Sequence, residues 1–188
     1  MASVCVFCAS ATVVDDTWLE LARAAGRGLA ERGHQVVSGG GCVGMMGTLA
    51  DGARSGGAHT LGIIPQSLVA LEVADKAADE LIITDGMAAR KIVMMERADA
   101  FLVLPGGLGT LDELFEVWTT ATLGLHATPI VLVNVDGFYD GLVSWLDGLV
   151  ERRFIRAEAM TMVHLVRTLD EALDVIERFV YRADRGGG

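Results

Sequence analysis

Seven short runs of mostly continuous apolar residues, rich in Val and Ile, recur along this chain at 4–7, 35–38, 60–64, 81–84, 100–104, 130–134 and 163–166. A strand with one wet face alternates apolar and polar residues. A strand that is apolar throughout is buried on both sides, which a parallel sheet covered by helices provides. Longer stretches with helical spacing separate the runs, at 17–32, 44–55, 87–97, 110–123, 139–151 and 169–181. Strands alternating with helices predict a doubly wound, Rossmann-like α/β fold with helices on both faces of the sheet. No Pro- or Ser-rich linker breaks the pattern, so residues 1–183 are expected to form one domain and 184–188 a flexible tail.

Ligands of such sheets bind in the crevice beyond the carboxyl ends of the strands, so the residues after each run are the informative ones. Cys8-Ala9-Ser10 follows the first run, and Gly39-Gly40-Gly41-Cys42-Val43-Gly44 follows the second. Asp85 to Lys91 follows the fourth, and Pro105-Gly106-Gly107-Leu108-Gly109-Thr110-Leu111-Asp112-Glu113 follows the fifth. Two glycine-rich loops and the Arg90-Lys91 pair therefore converge on one edge.

The net charge of −10, from 15 basic and 25 acidic residues, argues against nucleic acid or an anionic membrane as partner, because both need a basic footprint. An anionic ligand must be held by a local arrangement. No apolar run approaches the ~18 residues of a membrane span. Three cysteines, an odd and sparse count, suit a reducing compartment, and the protein is expected to be cytoplasmic. Cys5 and Cys8 form a C-x-x-C, but Cys5 lies inside an apolar run rather than at a helix start, so both read as strand residues. The four histidines are scattered without metal-ligand spacing, and no metal is expected.

Gly39-x-Gly41-x-x-Gly44 fits the dinucleotide fingerprint poorly. It follows the second strand, and the next strand end, Gly62-Ile63-Ile64-Pro65-Gln66, lacks the carboxylate that would hold a ribose. An NAD-linked oxidoreductase is therefore disfavoured. The run can still turn backbone N–H groups, those of Gly40 and Gly41 among them, towards an anion, or serve as a plain strand-to-helix turn.

The turn at 105–113 is more specific. Gly106, Gly107 and Gly109 clear side chains from the start of a helix, whose free amides and dipole make an anion cradle needing no net basic charge. Thr110-Leu111-Asp112-Glu113 is also the pattern of a capping box, and Thr168-Leu169-Asp170-Glu171 and Thr17-Trp18-Leu19-Glu20 repeat that pattern. Spacing thus leaves Glu113 two roles, helix cap and catalyst. Arg90 shares a helix face with Met87, Met94 and Arg97, and the opposite side is apolar as well. A cation on so covered a helix needs an anionic partner, unless the pair is solvated with its stems buried.

With these segments in hand, the sequence resembles the lonely guy (LOG) family of cytokinin riboside 5′-monophosphate phosphoribohydrolases. The resemblance rests on 38–47, on Met87-Ala88-Ala89-Arg90-Lys91, and on Pro-Gly-Gly-x-Gly-Thr-x-x-Glu at 105–113. Leu123-Gly124-Leu125-His126 with Pro129, and Asn134-Val135-Asp136-Gly137-Phe138-Tyr139, also resemble the family. It implies a homodimer that needs no cofactor and hydrolyses a nucleoside 5′-monophosphate to free base and ribose 5-phosphate. Arg90 and Glu113 match the catalytic pair; Gly106, Gly107, Gly109 and Thr110 match the phosphate turn; Met87 and Lys91 match residues lining the nucleotide. Ser10, Gly40 and Gly41, at the same edge, complete the expected substrate-binding set. Ala88 departs from the Met-His-x-Arg-Lys common in plant members, which bears on base preference. Proteins with this glycine motif have also been labelled lysine decarboxylases, yet nothing in the sequence supports a pyridoxal phosphate site. A nucleotide-sensing module without turnover, or a broader nucleoside monophosphate nucleosidase of salvage, stands as the alternative.

Overall fold

The computed structural model describes residues 1–69 and 73–185. Seven parallel strands form one sheet: β1 (Ser3–Phe7), β2 (Gln35–Ser38), β3 (Thr60–Pro65), β4 (Glu80–Thr84), β5 (Ala100–Val103), β6 (Ile130–Val133) and β7 (Val163–Val166), in the order β4-β3-β2-β1-β5-β6-β7. The expected doubly wound sheet is present, strand for strand. The order reverses between β1 and β5, which pair in register from Val4↔Ala100 to Phe7↔Val103. Helices following strands on either side of this point leave in opposite directions, and the crevice that opens there is where ligands of such sheets sit.

Six helices match the expected stretches: α1 (Asp16–Glu31), α2 (Gly44–Ser55), α4 (Met87–Glu96), α5 (Leu108–Thr122), α6 (Asp140–Glu151) and α8 (Leu169–Arg185). Two single-turn helices, α3 (Gln66–Val69) and α7 (Ala157–Met160), were too short to show periodicity. Because α8 runs through Arg185, the regular structure reaches into the expected tail; 186–188 lie outside the described residues.

Strand side chains alternate between two cores. Val4, Val6, Leu102, Val131 and Val133 pack with Leu29 of α1, Leu49 of α2 and Ile176 of α8. Cys5, Phe7, Phe101, Val103, Ile130 and Leu132 pack with Met94 of α4, Leu114 and Val117 of α5, and Leu146 of α6. Each such side chain contributes about 1.5–3 kcal/mol when fully buried, so the sheet's inner strands need apolar residues on both faces. The two buried thiols lie one in each core. Burial drives both thiol pKa values well above their ordinary range, leaving Cys5 and Cys8 as protonated packing residues.

Among the described residues, no helix is long and apolar enough to cross a membrane, and no three His, Cys, Asp or Glu side chains converge in metal-binding geometry.

Candidate active site

The loop after β5 meets the loop after β1 at the switch point, where the Ala9 amide donates to the Pro105 carbonyl at 3.3 Å and the Leu104 amide to the Phe7 carbonyl at 2.9 Å. From there the chain turns into α5 earlier than expected. The Gly107 carbonyl accepts the Leu111 amide at 3.0 Å, so Gly107 is the N-cap and Leu108 the first helical residue. Gly107 has no side chain, and no other side chain caps the helix. Among the described residues, the Leu108, Gly109 and Thr110 amides find no acceptor. They are the free donors of a helix N-terminus at the positive end of its dipole.

This start removes one of the two roles open to Glu113, that of helix cap. Thr110 is the third residue of α5, not its cap, and the Glu113 carboxylate makes no capping bond. The same four letters at 168–171 do form a capping box: Glu171 Oε2 accepts the Thr168 amide at 3.2 Å, and Thr168 Oγ1 accepts the Glu171 amide at 3.2 Å. At Thr17 the pattern yields neither, since the N-cap position of α1 is Asp15, whose side chain makes no capping bond, and Glu20 pairs instead with Arg23 at 3.5 Å. The glycines at 106 and 107 let α5 begin upstream of Thr110, and that shift moves Glu113 into its second turn.

Glu113 lies against Arg90. Arg90 Nη2 stands 3.5 Å from Glu113 Oε1, with the two residues only 5% and 7% exposed. Arg90 Nε donates to the Ile63 carbonyl near the end of β3 at 3.1 Å, and Nη1 reaches the Met87 sulfur at 3.7 Å. Room for the guanidinium comes from Gly39, where a Cβ would coincide with Nη2. Burial raises the Glu113 carboxyl from its ordinary 4.5 to about 7; Arg90 and Lys91 oppose the rise, and Asp112 and Glu116 add to it. A carboxyl poised near neutrality beside a fixed cation, at the ligand edge of the sheet, is what acid–base work requires.

The other expected site residues divide into groups. Ser10 is exposed at the mouth, on a segment that packs against Gly44 at the start of α2. Met87, 46% exposed, opens α4 on the same edge. Gly106, Gly107, Gly109 and the buried Thr110 form the turn itself. Lys91 is held between carboxylates on α5: Nζ lies 3.0 and 3.1 Å from the two Asp112 oxygens and 2.7 Å from Glu116 Oε2. It joins α4 to α5 on either side of Glu113 instead of standing free.

Gly40 and Gly41 do not form an open cradle. Both are buried; the Gly40 amide donates to Ser38 Oγ at 3.3 Å and the Gly41 amide to the Met46 sulfur at 3.1 Å. Residues 73–75 close over them, with the Cys42 amide donating to the Val73 carbonyl and the Asp75 amide to the Gly40 carbonyl, each at 2.8 Å. The run serves close packing, with Gly40 at φ +70° against Ile63 and Ile64, and its first glycine admits Arg90.

A doubly wound fold with a bare helix N-terminus at its switch point, and a buried Arg–Glu pair beside it, has the features that anion binding and acid–base chemistry require. A family model described as "Possible lysine decarboxylase" matches residues 46–176. The cytokinin riboside 5′-monophosphate phosphoribohydrolase of Mycobacterium tuberculosis (strain ATCC 25618 / H37Rv) is 47% identical over 171 residues, 91% of each chain. The cytokinin riboside 5′-monophosphate phosphoribohydrolase LOG of Oryza sativa subsp. japonica is 41% identical over 177 residues, 94% of this chain and 73% of that one. The molybdenum cofactor carrier protein of Chlamydomonas reinhardtii shares the fold with a TM-score of 0.74 at 19% identity, covering 96% of this chain and 98% of that one. The chain belongs to the LOG family of phosphoribohydrolases. Lysine decarboxylation, which the family's description offers, does not fit the residues present. A pyridoxal aldehyde needs an unprotonated lysine amine shielded from solvent, whereas Lys76 is exposed and Lys91, the other lysine of the chain, is held protonated by Glu116 and Asp112.

Proposed function

We propose that this protein hydrolyses the N-glycosidic bond of adenosine 5′-monophosphate and its N6-modified derivatives, releasing the base and ribose 5-phosphate. The observation that carries the reading is the buried Arg90–Glu113 pair beside the bare first turn of α5. The 5′-phosphate sits on the amides of Leu108, Gly109 and Thr110. The bond from C1′ to the base nitrogen breaks with its electron pair leaving on the base, through an oxocarbenium-like state. The ionised Glu113 stabilises the positive charge growing at C1′ and takes a proton from the attacking water, whose oxygen bonds to C1′; that proton then passes to the departing base, which leaves neutral and restores the Glu113 carboxylate. Arg90 holds Glu113 in place and offsets its charge. No step draws on a cofactor.

The enzyme works as a homodimer in the cytoplasm. Exposed apolar side chains support the dimer: Leu108 is 88%, Leu123 68% and Leu125 71% exposed on α5 and just beyond it, an arrangement a partner subunit would cover. Incubation with AMP releases free adenine and ribose 5-phosphate, and comparison with N6-isopentenyl AMP ranks the two bases. Thermal stabilisation by AMP without adenine release would instead establish a sensing module.

The glycine turn gives a paired test. A Cβ at Gly107 meets no protein atom within 4 Å, and its φ of −98° suits any residue. Gly107→Ala therefore leaves stability within roughly 0.5 kcal/mol but raises the KM for AMP, because the added methyl points at the ligand. A Cβ at Gly106 overlaps the Thr110 side chain, so Gly106→Ala costs about 1–3 kcal/mol in overpacking and impairs binding as well. An unchanged KM in Gly107→Ala would remove the turn from phosphate binding.

A further inference from the structure

The stretch Asn134-Val135-Asp136-Gly137-Phe138-Tyr139 lies outside the substrate-binding set, yet the structure spends unusual backbone on it. After β6 the chain makes a short 3₁₀ turn, Val135–Gly137, in which both Asp136 (φ 53°) and Gly137 (φ 71°) are left-handed. A left-handed non-glycine residue costs of order 1–3 kcal/mol and persists only where its surroundings impose it. The imposing contacts come from Asn134, 1% exposed: its Oδ1 accepts the Tyr139 amide at 2.7 Å, and its Nδ2 donates to Asp140 Oδ1 at 2.6 Å. A Cβ at Gly137 would strike the Asp140 carboxylate. The turn thus delivers one side chain, Tyr139, to one place. Tyr139 is 2% exposed, and its hydroxyl donates to the Leu104 carbonyl at 2.8 Å, immediately before Pro105 and Gly106.

We infer that Tyr139 is a positioning residue for the phosphate turn: its hydroxyl pins the Leu104 carbonyl from below, fixing the direction in which 105–107 leave β5 and hence where the free amides of α5 point. The proposal rests on the reading of this turn as the phosphate site. Leu104 cannot be held from the sheet alone, because β5 ends at Val103 and only the Leu104 amide, bonded to Phe7, remains in the ladder. Burial raises the phenol pKa above its ordinary value, so the hydroxyl keeps its proton and serves as a donor to Leu104. Geometry errors at the base of a helix are carried to its first amides, and phosphate recognition by fixed N–H groups tolerates little misplacement.

Tyr139→Phe keeps the buried ring and deletes this one group. The expected result is a roughly tenfold rise in the Kd for ribose 5-phosphate by calorimetry and in the KM for AMP. In the same variant, kcat and the affinity for adenosine, which lacks the phosphate, stay within about twofold of wild type. Asp140→Ala, which frees Asn134 from the exposed side of the same brace, shifts the same two quantities in the same direction by less, and carries the test if Tyr139→Phe does not fold. Unchanged ribose 5-phosphate binding in a folded variant overturns the proposal, and so does an equal loss of adenosine binding, which would mark general loosening. If the wild-type protein binds ribose 5-phosphate but releases no adenine from AMP, the proposed function fails while the brace is still measured by the binding arm.

Discussion

Glu113→Gln lowers the rate of adenine release from AMP by a factor of about 10²–10⁴, the span a positioned acid–base group contributes, with KM little altered. The substitution preserves shape in a site where Glu113 is only 7% exposed, and removes only the ability to carry charge and a proton. In the proposed mechanism the ionised form is the active one, so activity is expected to rise with pH through about 7 and flatten above it. On the acid side it falls about tenfold per pH unit. Stability runs the other way. A carboxyl raised from 4.5 to about 7 binds its proton more tightly in the folded state, so its contribution is complete below 4.5 and is lost as pH rises through about 7. About 3 kcal/mol is involved, at roughly 1.36 kcal/mol per pH unit. Gln cannot ionise and escapes that loss. Thermal melts at pH 5 and pH 8 should therefore show a variant similar to wild type at the first and more stable at the second. Wild-type turnover in Glu113→Gln would take Glu113 out of the reaction.

Arg90→Met is expected to be as damaging, for a compound reason. It removes the guanidinium 3.5 Å from Glu113 and leaves the Ile63 carbonyl without its side-chain donor. It also takes away the cation that most lowers the Glu113 pKa, so the carboxyl climbs further above 7 and most of the population is neutral at neutral pH. The loss in kcat/KM, about 10³-fold, is accompanied by displacement of the acid limb to higher pH. Breaking a buried ion pair ordinarily costs about 3–5 kcal/mol, but here Glu113 takes up a proton and the cost is smaller. Gly39→Ala provides an independent check, because the new methyl would occupy the guanidinium's place without changing either charged residue. It should lower activity and move the limb in the same direction. A pH profile that stays put in both variants would show that the pair does not set the proton affinity of Glu113.

These expectations use residues that sequence reveals unevenly. The sheet is legible because continuous apolar runs such as Ile130–Val133 have few ways to be buried on two faces. Arg90 and Glu113 are legible as chemistry, but the role of Glu113 is not settled by its spacing, since identical letters cap α8 and do not cap α5. What separates them is where the preceding glycines let the helix begin, a property of the whole turn. The second glycine run misleads for another reason. Its composition suggests open amides, whereas Val73 and Asp75 reach back to Cys42 and Gly40 across a span of sequence where local pattern reading has no purchase. Lys91 is similar: its partners Asp112 and Glu116 lie on α5, with β5 intervening in the chain. Tyr139 acts through a hydrogen bond to Leu104, and only the assembled fold brings those two together.

The strand order places Ser10, Arg90, Glu113 and Tyr139 after β1, β4, β5 and β6, so the site is dispersed along much of the chain and gathered at one end of the sheet. During synthesis, a nascent chain that has released its first five strands already carries Arg90, and soon after it Glu113. It still lacks β6 on the flank of β5 and the tyrosine beneath the turn. The proposed site thus becomes complete late, when the strand beyond the switch point has been laid down. A complete site is in that sense a certificate of finished assembly, which a segment that stops short of β6 does not carry.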